Sequence, residues 1–369
     1  MPKCPNTNTR SASNSTATRT SKDFQFFVGS DNGGEPAGLR AFGIDCESGA
    51  INEVARADAQ SPIYLALSKD GRFLYAAQRA DGALPGAVAS YAVNADGSLR
   101  FINEIPCAPS VPCHISLSEN PAGRYLFFAE YSYGTAGVLR IRESDGALEK
   151  LTCALEHSGA LGPNKSRQDR PHCHCIVQAA DGFVFVCDLG LDKVVAYSFD
   201  SRDGILRHCE SDFQSVAGSG PRHMIFNADN TRAYLLNELD STLTALDYSG
   251  GGVLRASQTL STLPPDFAGE TKAAAVKISP CGKWVLASNR GHDSIAAFRI
   301  GATLNAPIIS KLGGRFPRDF EFAPDGNFVI VGHKLSDEFA VYRFDSDSGA
   351  LTQTENAFKM RKPLCFVNG

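Results

Sequence analysis

The sequence predicts an all-β fold: a seven-bladed propeller with four antiparallel strands in each blade. Three observations carry this. A glycine turn leading into an apolar strand recurs seven times, a second turn series falls between those repeats, and each chain end holds one strand without a neighbour. Periodicity of this length is the signature of a repeat architecture, and it is weighed before any local propensity.

The first series reads ESGAINEV, ADGSLRFI, SDGALEKL, RDGILRHC, GGGVLRAS, IGATLNAP and DSGALTQT, with glycines at 49, 97, 146, 204, 252, 301 and 349. Successive intervals are 48, 49, 58, 48, 49 and 48 residues. The second series reads SKDGRFLYAA, NPAGRYLFFA, AADGFVFVCD, NADNTRAYLL, SPCGKWVLAS and APDGNFVIVG. Asp-Gly between β-branched and aromatic runs is a hairpin signal, and two such turns per repeat give four strands. That is a propeller blade.

The second series has one member fewer than the first. FQFFVGS, near residue 24, lacks an upstream partner, and PLCFVNG at the C-terminus lacks a downstream one. Pairing these two completes a seventh blade and removes the open sheet edges. With strands labelled a to d from the axis outward, the glycine turns are a–b and c–d hairpins on one face. The b–c loops (EYSYGTAG, DLGLDK, NELDST, SNRGHDS, GHKLSDE) and d–a loops (PSVPCH, GSGPRH, GGRFPRDF and the long HSGALGPNKSRQDRPHCH) lie on the other. The long loop accounts for the 58-residue interval. Long polar loops on one face of a rigid scaffold are where binding and catalysis are expected.

Residues 1–23 are polar and rich in Ser and Thr, too poor in apolar groups to offset ordering entropy, and are expected to form a disordered tail before a propeller over 24–369. The net charge of −4 gives no basic stripe for nucleic acid, and no apolar run reaches membrane-spanning length. The eleven cysteines are scattered and odd in number, so they are read as free thiols in a cytoplasmic protein. Oligomeric state is left open.

Aligning blades on their a–b turns places His174, Arg222 and Arg318 at equivalent positions at the start of strand a, facing the axis, with His114 close to its own equivalent. Glu238 and Arg290 fall at the end of strand b on the same face. Guanidinium groups pair anionic substrates in a bidentate way, and an imidazole or a carboxylate can move a proton. Each residue alone reads as a rim salt bridge or a structural hydrogen-bonder; their convergence at one mouth points to a site. In the run His172, Cys173, His174, Cys175, strict alternation puts both imidazoles on one face and both thiols on the other. Four adjacent residues therefore cannot close one tetrahedral zinc site. The mouth loops offer Arg and His rather than the inward carboxylates that calcium requires, so neither metal nor cofactor is expected.

PCHIS (112–116), RQDRPHCH (167–174), DLGLDK (188–193), GPRHMIF (220–226), NELDST (237–242), SPCGKWVLASNRG (279–291) and PRDF (317–320) follow one another in an order that resembles the seven-bladed propeller lactonases. This group contains the propeller-type 6-phosphogluconolactonases and the carboxy-cis,cis-muconate lactonizing enzymes. The resemblance spans residues 24–369 and implies that His174, Arg222, Glu238 and Arg290 are catalytic. Around them His114, Tyr131, Arg167, His172, His223 and Arg318 are read as substrate-binding. Two positions depart from the family pattern: Ala275 stands where an acidic residue is common, and Glu130 where Asn is common.

Three functions are carried forward. The first is metal-independent hydrolysis of a small anionic sugar lactone such as 6-phosphogluconolactone. The second is cyclisation of a carboxy-muconate on the same residues, and the third is a binding scaffold without chemistry. For the first, replacing Glu238 by Gln or Arg222 by Ala is expected to cut turnover while leaving folding intact.

Overall fold

The structure, a computed structural model, describes residues 23–33, 36–80, 85–120 and 123–369. Except for Asp23, which begins the first strand, the segment expected as a tail lies outside the described residues. Among the described residues the regular structure is all strand, arranged as seven antiparallel sheets around a central channel. The innermost strands of blades two to seven are Tyr64–Leu67, His114–Asn120, Cys173–Gln178, Pro221–Phe226, Lys272–Ile278 and Pro317–Phe322. Blade one takes its innermost strand, Pro363–Asn368, from the C-terminus and its next strand, Asp23–Ser30, from the N-terminus. The two run antiparallel, with Phe26 opposite Asn368 and Gly29 opposite Cys365. Two chain ends thus close the ring, as the unpaired sequence segments predict.

Inner strands are covered on both sides by neighbouring blades, and their sequences are accordingly almost continuously apolar, as in Val184–Asp188, buried throughout. Outer strands have one wet face. Ile51–Ala57 alternates between half-buried and exposed residues, the period-2 pattern of a strand covered on one side. The core consists of layers between blades rather than one central mass. Phe26, Phe42, Phe328, Phe339 and Phe366 form such a layer across the closure between blades one and seven.

The c–d turns lock each blade to the one before it. Gly146 has φ 73° and packs so closely on Phe73 of the preceding blade that a Cβ there would lie 2.3 Å from the ring. Gly204 sits in the same way on Tyr125, Gly252 on Phe183, Gly349 on Trp284 and, across the closure, Gly49 on Phe328. Left-handed backbone and close approach both require glycine here. Gly301 is the exception, because its φ lies outside the left-handed region. The outer strand of blade six begins only at Ile308, Leu304 fills the gap, and Arg232 donates to the carbonyls of Gly301 and Ala302.

One irregularity recurs at the start of the innermost strands. The pairing register slips between Cys173 and Cys175, between Pro221 and His223, between Ala273 and Val276, and between Pro317 and Asp319. In blade one Cys365 and Pro363 pair with adjacent residues, leaving Leu364 as the extra one. In blades two and three the N–H groups of Ile63 and Cys113 donate to Ala77 and Ala129, the residues opposite their successors. These are β-bulges, which turn a side chain out of the alternating pattern. The equivalent positions are therefore Ile63, Cys113, His174, Arg222, Ala274, Arg318 and Leu364.

This geometry corrects the strict alternation expected for residues 172–175. Cys173 packs in the layer between blades three and four, Cys175 in the layer between blades four and five, and His174 between them is released toward the channel. It also corrects the alignment of blade three, where the residue equivalent to His174 is Cys113 and His114 falls one position deeper.

Gly71 and Gly146 separate backbone strain from packing, since their φ values are 70° and 73° but only Gly146 meets a neighbour within 4 Å. Gly71→Ala should cost about 1 kcal/mol and Gly146→Ala about 3 kcal/mol or more in urea unfolding. Equal losses would contradict the packing role of the c–d glycines.

Candidate active site

The mouth on the b–c loop face opens into a cavity of about 540 Å³. Two tiers of side chains line it. The lower tier comes from the bulges: Ile63, Cys113, His174, Arg318 and Leu364. The upper tier comes from the residue that leaves strand b in successive blades: Asp31, Arg79, Tyr131, Glu238, Arg290 and Lys334. Arg167 joins them from the long d–a loop, with Ser61, Ser110, Val111 and Ser132 completing the rim. Five cationic side chains face two carboxylates in a chain whose net charge is −4.

Glu238 is the electrostatic centre. It is 3% exposed; Oε1 accepts from Arg167 Nη2 at 2.5 Å, and Oε2 lies 2.9 Å from both Arg222 Nε and Arg290 Nη2. Burial alone would raise its carboxyl pKa, but Arg290 and Arg222, with His174 and Arg167, outweigh that and hold it well below the usual range. A carboxylate so depressed is a poor proton acceptor and a good fixed anion.

His174 has the opposite character. Burial, and after it the charge of Arg222, drives its imidazole well below the ordinary histidine range, while Glu238 pulls the other way. The ring is therefore neutral near pH 7. Its Nδ1 lies 3.8 Å from Cys113 Sγ, and its flank packs edge-on against Tyr131 and His223, with centroids 5.6 and 5.2 Å away.

The arginines divide into roles that sequence could not distinguish. Arg222 is 2% exposed and lies below the cavity wall: Nε donates to Glu238, and Nη1 donates to His223 Nε2 and to the carbonyl of Ala274. It holds Glu238 from underneath. Arg290 is pinned by the carbonyls of Lys272 and Ala273 and lies over the Phe316 ring, yet it reaches the cavity. Arg167 gives Nη2 to Tyr131 and Glu238, while its buried Nη1 has no hydrogen-bond partner. A buried guanidinium N–H without an acceptor costs free energy unless a ligand supplies one.

The remaining expected binding residues are placed differently. His172 stacks on Tyr131 with centroids 4.1 Å apart and donates from Nδ1 to the Tyr131 carbonyl, so it props the wall rather than lining the cavity. His114 and His223 do not line the mouth either. With Tyr64 they form an aromatic floor, the Tyr64–His114 centroids 4.4 Å and the His114–His223 centroids 5.4 Å apart. Their other side faces a second cavity of about 320 Å³ in the lower channel. Bulge geometry is the reason, because it turns the residue after each bulge away from the mouth. Arg79, Lys334 and Asp31 were missed by sequence reading, although they occupy the same strand-end position as Glu238 and Arg290.

The two departures from the family pattern have local roles. Glu130 caps its own b–c loop, accepting from the N–H groups of Ser132 and Tyr133 and from the Thr135 hydroxyl. Ala275 packs in the layer between blades six and seven. Among the described residues, one cluster brings three metal-type donors within 4.8 Å: His157, Cys173 and Asp188. Its groups already serve one another. His157 Nδ1 lies 2.8 Å from Asp188 Oδ2, the Tyr197 hydroxyl lies 2.9 Å from His157 Nε2, and Asp188 Oδ1 accepts from the N–H groups of His172, Gly190 and Leu191. The cluster braces the long loop behind the cavity wall. All ten cysteines among the described residues are free thiols.

Comparison with known proteins agrees with this fold. Residues 25–368 match the family described as Lactonase, 7-bladed beta-propeller. A 6-phosphogluconolactonase of Bacillus subtilis is 31% identical over 347 residues, covering 92% of this chain and 96% of that protein. A putative 6-phosphogluconolactonase from Bacteroides fragilis superposes with a TM-score of 0.87 at 29% identity, over 95% of this chain and 99% of its own. The periplasmic gluconolactonase PpgL of Pseudomonas aeruginosa gives 0.86 at 29% identity, over 94% of this chain and 99% of its own. Fold, ordered motifs and these relatives agree: the chain belongs to the seven-bladed β-propeller lactonase family.

Proposed function

We propose that this protein hydrolyses a small anionic sugar lactone, with 6-phosphogluconolactone as the first substrate to test. The observation that carries the reading is the pairing of a neutral, cavity-lining His174 with a Glu238 held ionised by arginines. Lactone hydrolysis needs a base for water, donors for the oxyanion and an acid for the departing ring oxygen.

His174 serves as the base. It accepts a proton from water as the water oxygen bonds to the lactone carbonyl carbon, and the resulting imidazolium is supported by the Glu238 charge. The unpartnered Arg167 Nη1, with the guanidinium of Arg290, stabilises the oxyanion. When the carbonyl re-forms, the ring C–O bond breaks and the imidazolium returns its proton to the departing hydroxyl oxygen. Glu238 remains a fixed anion throughout, and its depressed pKa supports giving the proton transfer to His174. Cyclisation of a carboxy-muconate would use the same cations and serves as the comparison substrate.

His174→Asn is expected to lower kcat about 100-fold or more, the usual weight of a general base, with little change in the urea unfolding midpoint. Near-parental turnover of 6-phosphogluconolactone by this variant would refute the assignment. Arg222 differs from the sequence expectation, because removing one member of a buried ion cluster destabilises the fold. Arg222→Ala should cost about 3 kcal/mol of stability as well as turnover, read from urea unfolding and initial rates together.

The pH dependence has a definite sign. His174 acts in its neutral form, and its pKa is lowered, so the neutral form persists as pH falls through the ordinary histidine value of about 6.5. With unphosphorylated glucono-δ-lactone, kcat/KM should stay level down to that pH and fall only below it. An acid limb centred at or above it would count against His174 as the base.

A further inference from the structure

The cations of the mouth are of two kinds. Arg167, Arg222 and Arg290 each pair with Glu238. Arg318 and Lys334 of blade seven and Arg79 of blade two line the same cavity. No side-chain hydrogen bond or ion pair engages these three cations among the described residues. The nearby carboxylate, Asp31, is already engaged by Lys362 Nζ at 3.3 Å, by the Gly33 N–H and by the Ser61 hydroxyl.

We propose that Arg318 and Lys334, with Arg79 at the rim, form a subsite for a phosphate monoester dianion that selects phosphorylated lactones over neutral ones. The inference rests on the lactonase reading and adds to it cavity-lining cations that Glu238 does not pair. A cavity of about 540 Å³ is large enough for a sugar phosphate. Arg318 projects from a bulge at the cavity wall and Lys334 stands above it at the end of strand b, so the two donors approach from different heights of the same blade. A neutral sugar lactone would leave both charges unanswered, whereas a dianion accepts from both. Burial pushes the Lys334 ammonium below its ordinary value, and Arg318 and Lys362 push it the same way. Arg318 and Lys334 repel one another, and an anion between them relieves that repulsion.

The experiment compares 6-phosphogluconolactone with glucono-δ-lactone for the parent and for Lys334→Gln, Arg318→Gln and Arg79→Gln, with circular dichroism confirming the fold. Lys334→Gln and Arg318→Gln should each raise KM for the phosphorylated lactone about 10- to 100-fold while kcat changes little, and the preference over glucono-δ-lactone should collapse by the same factor. Parental KM for the phosphorylated substrate should fall as pH rises through about 6, where the monoester becomes dianionic, and that limb should vanish in the variants. Unchanged preference, or equal losses on both lactones, would overturn the subsite. If the parent turns over neither lactone, the functional reading fails. Calorimetry with inorganic phosphate then decides the subsite alone: binding that Lys334→Gln abolishes supports it, and no binding by the parent overturns it.

Discussion

The closure of the ring is the constraint on which everything else depends. Phe26 to Gly29 pair with Cys365 to Asn368, two segments separated by nearly the whole sequence. Without that pairing blade one lacks its innermost strand, the layer of Phe26, Phe42, Phe328, Phe339 and Phe366 opens to water, and Leu364 leaves the cavity wall. Such a contact carries the loop-closure entropy of almost the whole chain, which the other blades reduce by bringing the ends together. The site inherits this dependence, since its two tiers are drawn from seven separate sheets and no single blade holds a working part of it.

Within the ring the decisive energetics are electrostatic. Burying Glu238 with three guanidinium groups exchanges hydration for mutual attraction, a trade that rarely adds stability. What the trade secures is geometry. A carboxylate fixed by donors from three directions cannot rotate, and its charge opposes part of the burial and Arg222 repulsion that keep the His174 imidazole neutral. The arginines in turn are positioned by backbone carbonyls, Arg290 by Lys272 and Ala273 of its own blade and Arg222 by Ala274 of the next, so site and scaffold share hydrogen bonds.

Much of this was legible in the sequence, and what was not has a physical reason. Seven glycine turns, six intervening turns and two orphan strands were sufficient for blade number, closure and sidedness, because left-handed turns leave a glycine trace and period-2 alternation marks strands. His174, Glu238, Arg290 and Arg318 were found by aligning blades. Three readings failed on one cause: a bulge inserts a residue without altering composition. It separated Cys173 from Cys175, sent His114 and His223 to the floor, and made Cys113 the equivalent of His174. The burial of Arg222 beneath Glu238 was invisible for another reason, since only packing distinguishes an arginine that meets a ligand from one that supports a neighbour. Arg79 and Lys334 sat at the register of Glu238 and carried no motif of their own.

The bulges also say something about how such a protein can change. In an uninterrupted strand every inward residue is committed to packing, and replacing it disturbs a layer shared by two blades. The extra residue at the head of each innermost strand escapes that commitment. Its neighbours still fill the layers on either side, while its own side chain is turned toward the channel, where five of the seven line the cavity. The seven positions, now occupied by Ile63, Cys113, His174, Arg222, Ala274, Arg318 and Leu364, behave as sockets on a fixed frame. Exchanging what is plugged into the cavity-facing ones would retune polarity and shape at the mouth while the architecture stayed still, and one ring could thereby pass between related substrates in small steps.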